Sequence, residues 1–237
     1  MYKALFGLLA IGLIAALAYL LVFPRNGTRI AEEVVAVAPV ESTAADEPEA
    51  VPELEAEPEP EPEPAIVFDP SADYALEIDV EGEANGTIVI DLFEDTAPLH
   101  VAQITAIAEA GDYDGVVFHR VIDGFMAQTG DVQNGVMGGD LSRAGTGGSE
   151  FADIPAEFSD IPFERGVVGM ARAQNPNSAN SQFFIMFEPG YFLNGQYTVV
   201  GEVTEGMDIV DALKRGTGAN GAVIGKPDVM TAVRVTE

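Results

Sequence analysis

Between Phe118 and Asp131 the chain reads FHRVIDGFMAQTGD, which places one arginine, Arg120, and one glutamine, Gln128, among apolar residues at alternating spacing. Residues of these types in that pattern can line an apolar pocket carrying a single cation, whose work would be electrostatic. Other chemistries find little footing. With no cysteine there is neither a thiol nucleophile nor a disulfide framework, and His100 and His119 are the only imidazoles, so a zinc site is not expected. Asn177, Asn180 and Ser181 form a polar stretch leading to Phe183, but no histidine stands near them in the motif, and they read as loop formers rather than hydrolase groups. By strand alternation His119 points away from Arg120 and reads as a structural, hydrogen-bonded imidazole. His100 reads as a solvent-facing helix residue.

Strict alternation sets Phe125 and Ala127 on one face of a strand and Met126 and Gln128 on the other, so periodicity does not gather them into one pocket. From spacing alone Phe125, Met126, Phe184 and Leu193 read as ordinary core packing, and Arg120 could equally form a surface ion pair in so acidic a chain.

A second block, GMARAQNPNSANSQFFI from Gly169 to Ile185, and a third, YFLNGQYTVVGEV from Tyr191 to Val203, follow at graded distances. Together the three blocks resemble the cyclophilin family of peptidyl-prolyl isomerases, over roughly Ala65 to Glu237. The resemblance implies a closed eight-stranded antiparallel barrel capped by two α-helices, acting without a cofactor on X-Pro bonds of unfolded or folding polypeptides. It matches Arg120 to the arginine that approaches the prolyl nitrogen and adjacent carbonyl. It matches Phe125, Met126, Phe184 and Leu193 to the proline pocket, Gln128 to the residue that orients the substrate backbone, and Gln182 to a pocket-floor amide. Ala171 and Arg172 match a segment whose main chain pairs with substrate like an added strand.

Several positions depart from the best-known pattern. Phe192 stands where many eukaryotic members have tryptophan, Tyr197 where they have histidine and Arg172 where they have asparagine, replacements usual among bacterial members. Asp123 replaces a frequent proline and Thr129 a frequent glycine, and Gly135 to Ser149 departs most, as a distinct loop beside the site. Without the indole donor at residue 192, cyclosporin binding is expected to be weak. The intact set of Arg120, Phe125, Gln128 and Phe184 favours an enzyme over its rival, a non-catalytic module that binds Pro-containing segments or a membrane partner.

Eight segments rich in β-branched or aromatic residues and bounded by Gly, Pro, Asp or Asn must position these groups. They are Tyr74–Val80, Thr87–Phe93, Val116–Ile122, Phe125–Thr129, Gly166–Ala171, Gln182–Phe187, Tyr197–Val203 and Val229–Val235. Two helices are expected: Pro98–Ala110, with Val101, Ile104 and Ala108 on one face and Gly111 as its stop, and Met207–Arg215, stopped by Gly216. The class is therefore mainly β, with eight short strands suggesting a barrel.

Composition divides the 237 residues into three parts: 1–24, 25–64 and 65–237. Ala4 to Phe23 is twenty residues without a charge, long enough as a helix to span the roughly 30 Å of a bilayer core. It reads as a transmembrane anchor. A cleaved signal peptide is the alternative, with Lys3 as the positive start and Ala16-Leu17-Ala18 as a small-residue site, but the run stays apolar through Phe23. Lys3 on one side and Arg25 and Arg29 on the other leave the orientation open. The domain is expected in the periplasm or otherwise outside the cytoplasm, as a monomer.

Ala31 to Pro64 carries twelve acidic residues, no basic ones and seven prolines, and reads as a disordered acidic spacer whose Glu-Pro repeat at Glu57–Pro64 favours an extended backbone. Of the net charge of -28, twelve negative charges fall in that spacer, and 27 acidic against 8 basic residues leave the domain near -19. A surface of that sign repels phosphate backbones, which excludes nucleic acid as a partner.

Overall fold

The computed structural model describes residues 68–69 and 72–237. The expected anchor at 4–23 and spacer at 31–64 lie outside the described residues, and among those described no helix is long and apolar enough to cross a membrane.

Eight strands form one antiparallel sheet: β1 (Ala75–Glu81), β2 (Gly86–Leu92), β3 (Arg120–Ile122), β4 (Met126–Thr129), β5 (Val167–Met170), β6 (Phe183–Met186), β7 (Val199–Glu205) and β8 (Val229–Thr236). Their spatial order is β3-β4-β6-β5-β7-β2-β1-β8. The sequence places every strand correctly to within a few residues. β1 and β2 alternate as their composition demands: Leu76, Ile78 and Val80, with Ile88, Ile90 and Leu92, are buried in the barrel interior, each contributing roughly 1.5–3 kcal/mol by leaving water.

Closure differs from expectation. The strand ladder is open between β3 and β8, making an eight-stranded half-barrel with two helices rather than a fully closed barrel. Val116–His119, expected as the start of β3, bends away to pair with other partners: Gly115 N–H donates to Met230 O at 2.7 Å, Phe118 N–H to Asp228 O at 3.0 Å, and Val117 N–H to Gly135 O at 2.8 Å. The Val117–Val229 bridge, the Gly115–Met230 bond and a bond from Met230 N–H to Val116 O at 2.9 Å join this edge to β8.

Helix α1 (Pro98–Glu109) begins at the predicted proline and carries Val101, Ile104 and Ala108 into the core, and Gly111 just beyond it adopts φ +74°, as a helix stop requires. Helix α2 (Met207–Ala212) is shorter than expected. Leu213 turns extended to enter the core, and the Asp228 carboxylate accepts from Lys214 N–H at 2.6 Å, drawing the chain out of the helix before Gly216.

The central strands are buried on both faces, unlike β1 and β2. Odd and even positions feed two separate apolar clusters: Val121, Ala127, Val168, Met170, Phe183 and Ile185 join the interior, whereas Met126, Val167, Phe184 and Met186 form a second cluster with Phe163, Leu193 and Val199. That second cluster lies on the outer face of the half-barrel, because period-two geometry sends alternate side chains to opposite sides. Gly169, beside Phe184 in register, permits it; a Cβ there would stand 2.6 Å from both Phe163 and Phe184.

Candidate active site

Arg120 and Gln128 face one another as paired positions of β3 and β4, and Gln128 pairs in turn with Phe184 of β6. The three side chains therefore share the outer face. Arg120 Nη1 donates to Gln128 Oε1 at 3.0 Å and lies 3.8 Å from Met126 Sδ, while its Nε donates to the Asn220 carbonyl at 2.8 Å. Among the described residues no carboxylate pairs with Arg120 and Nη2 has no hydrogen-bond partner, so the surface ion pair that composition allowed is not formed. Burial lowers the guanidinium's pKa below its ordinary value, an effect that Tyr197 opposes. The same loss of water strengthens the field that the cation exerts on anything beside it.

The apolar wall is the second cluster. Met126, Phe184 and Leu193 are buried, and Phe125, Tyr197 and Ala171 pack against them half-exposed. Phe184 stacks on Phe163 at 5.7 Å and meets Tyr197 edge-on at 5.8 Å. Phe125 reaches the same side as Met126 because it is not a strand residue. It closes the turn from Ile122, donating its N–H to Ile122 O at 3.0 Å, and β4 starts one residue later, so alternation does not bind it. Leu193 is delivered by a short 3-10 helix, Tyr191–Leu193, which the sequence reading missed. Phe192, on that turn, is 66% exposed with its ring 5.5 Å from that of Phe125.

Beside the apolar wall lies a polar cleft of about 520 Å³, lined by Gln128, Gln182, Ala171, Arg172, Asn180 and the loop Gly145–Ser149. Gln128 Nε2 donates to Gln182 Oε1 at 2.9 Å, and Gln182 Nε2 donates to the Gly147 carbonyl at 2.7 Å. Arg172 lies over the Tyr197 ring at 4.4 Å and donates to the Gln196 and Ala173 carbonyls. The Ala171 N–H is already engaged by Gln182 O at 2.9 Å, while the main chain of Arg172 makes no hydrogen bond to another described residue. All eleven residues expected at the site thus sit around one surface. Among the described residues no group of three His, Asp or Glu side chains could hold a metal ion.

Both histidines differ from expectation. His100 is fully buried, not solvent-facing: its Nδ1 stands 2.6 Å from Glu157 Oε2, and the same carboxylate accepts from the N–H groups of Leu99 and His100 at 3.2 and 3.1 Å. Glu157 thereby supplies α1 with the N-terminal acceptor that Ala97 lacks. His119 is buried and points away from Arg120's face as foreseen, but neither ring nitrogen meets a partner at hydrogen-bonding geometry. Burial lowers the pKa of both rings. Nearby Asp131 and the Val117 backbone oppose that shift at His119 without forming a bond that meets the geometry. Sequence reasoning missed Glu157, whose partners lie 57 and 58 residues away, and Asp131, two of whose four partners lie 14 and 16 residues on; for Asp131 the local signal is an acid set just before a glycine-rich loop.

The family model "Cyclophilin type peptidyl-prolyl cis-trans isomerase/CLD" matches residues 76–235. A probable peptidyl-prolyl cis-trans isomerase of Brucella suis is 61% identical over 146 residues, covering 61% of this chain and 74% of that protein. Peptidyl-prolyl cis-trans isomerase B of Bacillus subtilis is 37% identical over 155 residues, 65% of this chain and 93% of that protein. Among solved structures, a cyclophilin from Hirschia baltica matches with a TM-score of 0.55 at 26% identity, over 70% of this chain and 74% of that one. A cyclophilin type isomerase from Cryptosporidium parvum matches with a TM-score of 0.60 at 23% identity, over 70% of this chain and 99% of that one, a likeness of fold.

Proposed function

The chain belongs to the cyclophilin type peptidyl-prolyl cis-trans isomerase family, and from that premise we propose that it accelerates X-Pro rotation by seating proline against Phe125, Met126, Phe184 and Leu193 while Arg120 stabilises the twisted amide. Conjugation opposes that rotation with a barrier of about 18–20 kcal/mol, and twisting breaks the conjugation, leaving the prolyl nitrogen more basic and able to accept a hydrogen bond. A donor that is fixed before the reaction favours the twisted form over the planar one. A thousandfold acceleration requires only about 4 kcal/mol of such preference. The observation that carries the reading is the state of Arg120: Nε and Nη1 are held by Asn220 and Gln128, beside the apolar wall, while Nη2 is unengaged among the described residues. Gln128 and Gln182 orient the substrate backbone, and the main chain at Arg172 offers strand-like pairing.

A protease-coupled proline isomerisation assay tests the reading. Arg120→Ala should lower kcat by about 10²–10³ while peptide affinity changes little, since the charge acts on the twisted state. An unmodified rate from a folded Arg120→Ala protein would sink it, and no turnover by the unmodified protein would favour the binding module.

We infer further that the apolar run Ala4–Phe23 anchors the domain outside the cytoplasm, on the strength of its length and lack of charge. On that reading the protein sediments with membranes and its acidic segment is cut by protease added to spheroplasts. A soluble product starting at Tyr19 would show a cleaved signal instead, and protection from protease would place the domain inside.

A further inference from the structure

Asp131 has no place in the mechanism above, yet it is fully buried and accepts four backbone hydrogen bonds. Oδ1 receives the N–H groups of Gln133 at 3.2 Å and Asn134 at 2.8 Å, and Oδ2 those of Gly145 at 2.7 Å and Gly147 at 3.0 Å. One carboxylate therefore ties both ends of the loop 133–147 together. Gly147 can approach so closely only because it has no side chain; a Cβ there would meet Asp131 Oδ1 at 2.5 Å.

The loop ends at the site. The Gly147 carbonyl is an acceptor and nothing else, so the Gln182 amide must turn its NH₂ toward it. Gln182 Oε1 then faces Gln128 and accepts from Nε2, which leaves Gln128 Oε1 facing Arg120. An obligate acceptor at one end and an obligate donor at the other admit a single orientation of both amides. If the Gly147 carbonyl is withdrawn, the relay loses one of its two anchors and only the guanidinium resists a flip of the amides, which would turn the Gln128 NH₂ toward Arg120.

We propose that Asp131 is a positioning residue for the isomerase site: it holds the Gly147 carbonyl, and through the Gln182–Gln128 pair it fixes the acceptor that aligns Arg120. The inference rests on the role of Arg120 proposed above. It concerns turnover rather than substrate contact, because Asp131 is buried behind Gly145 and Gly147 and does not itself line the cleft.

The test is a double-mutant cycle on the full chain, read as kcat and KM for an X-Pro peptide. Asp131→Asn keeps the side chain's size but removes the acceptor either for Gly145 and Gly147 or for Gln133 and Asn134, and should lower kcat about tenfold with KM nearly unchanged. Gln182→Leu cuts the relay, so in that background Asp131→Asn should cost less than twofold. Equal losses in both backgrounds, or no loss in the unmodified background, would overturn the proposal. Should Asp131→Asn not fold, Gln182→Leu alone decides: coupling is reciprocal, so it should speed amide hydrogen exchange at Gly145 and Gly147, and unchanged exchange there would overturn it. Arg120→Ala separates the two ideas: full activity in that variant defeats the reading of the site, whereas its inactivity beside an unaffected Asp131→Asn defeats this inference alone.

Discussion

The carboxylate of Glu157 stands 2.6 Å from Nδ1 of His100 and holds the first turn of α1 across 57 residues of sequence. One acidic side chain thus partners Nδ1 of a buried imidazole, whose Nε2 has no hydrogen-bond partner among the described residues, and two helix N–H groups that no local residue caps. Glu157→Ala leaves all three donors without an acceptor and should destabilise the protein by about 2–3 kcal/mol, measured by urea denaturation of the full chain. A loss within about 0.5 kcal/mol, typical of surface sites, would show that water replaces the carboxylate.

Acid should weaken the fold through its histidines. Burial depresses the folded pKa of His119, and of His100 despite the pull of Glu157, while an unfolded imidazole titrates near about 6.5. The unfolded chain then binds more protons as pH falls below that value. The contribution of the neutral rings is fully present above about pH 6.5 and lost as pH drops toward the depressed folded values. Comparing denaturation midpoints at pH 7.5 and 5.5, the unmodified protein should lose more than His119→Leu; an identical pH dependence in both would rule out His119 as a contributor.

At Arg120, charge and alignment can be separated at its neighbour. Gln128→Glu puts a carboxylate where Oε1 now accepts at 3.0 Å, which keeps the arginine in place but neutralises its field. Gln128→Leu removes the alignment and spares the charge. If the field drives catalysis, Gln128→Glu should lower kcat more than Gln128→Leu, by about tenfold or more, since a partly desolvated ion pair is worth several kcal/mol at an effective dielectric near 20. The reverse order in a steady-state assay would assign the larger share to alignment.

Phe184 is packed between Phe163 and Tyr197, and the proposed function also assigns it to the proline pocket. Phe184→Ala should cost about 3–5 kcal/mol, the usual range for removing a buried phenylalanine, whereas Phe184→Leu should cost far less. On the proposed reading the ring also forms the proline wall, so Phe184→Leu should raise KM by more than its small effect on stability explains. An unchanged KM would assign Phe184 to packing alone.

Phe192 offers a ring without a hydrogen-bond donor at the rim of the site, 66% exposed. Cyclosporin should therefore inhibit weakly while turnover survives, and Phe192→Trp should tighten inhibition by about 0.5–1.5 kcal/mol, the net worth of one hydrogen bond. An inhibition titration of both proteins decides: tight inhibition of the unmodified form, or no gain from the indole, would remove residue 192 from the account.

Much of this architecture could be read from residue order. Alternation in β1 and β2, Pro98 and Gly111 around α1, and the turn residues between strands are local signals, because backbone geometry repeats within a few residues. The types of group at the site were legible for a different reason: Arg120, Gln128 and Phe184 stand in blocks whose likeness to a family is visible without coordinates. Where residue order misled, the cause was a partner distant in sequence. His100 looks exposed until Glu157 arrives, and Val116–His119 looks like strand until Asp228 and Met230 claim its backbone.

Residue order by itself therefore determined which segments are strands and helices, the strong net negative charge, and the side chains available for an apolar pocket with one cation. Tertiary structure alone decided that Phe125, released from alternation by its turn, joins Met126 and Phe184 on one face, that the strand ladder stays open between β3 and β8, and that Asp131 ties the loop to the site. Periodicity is a property of the local backbone. The meeting of side chains many residues apart depends on how the whole sheet curves, and that is settled only by the packing of the complete domain.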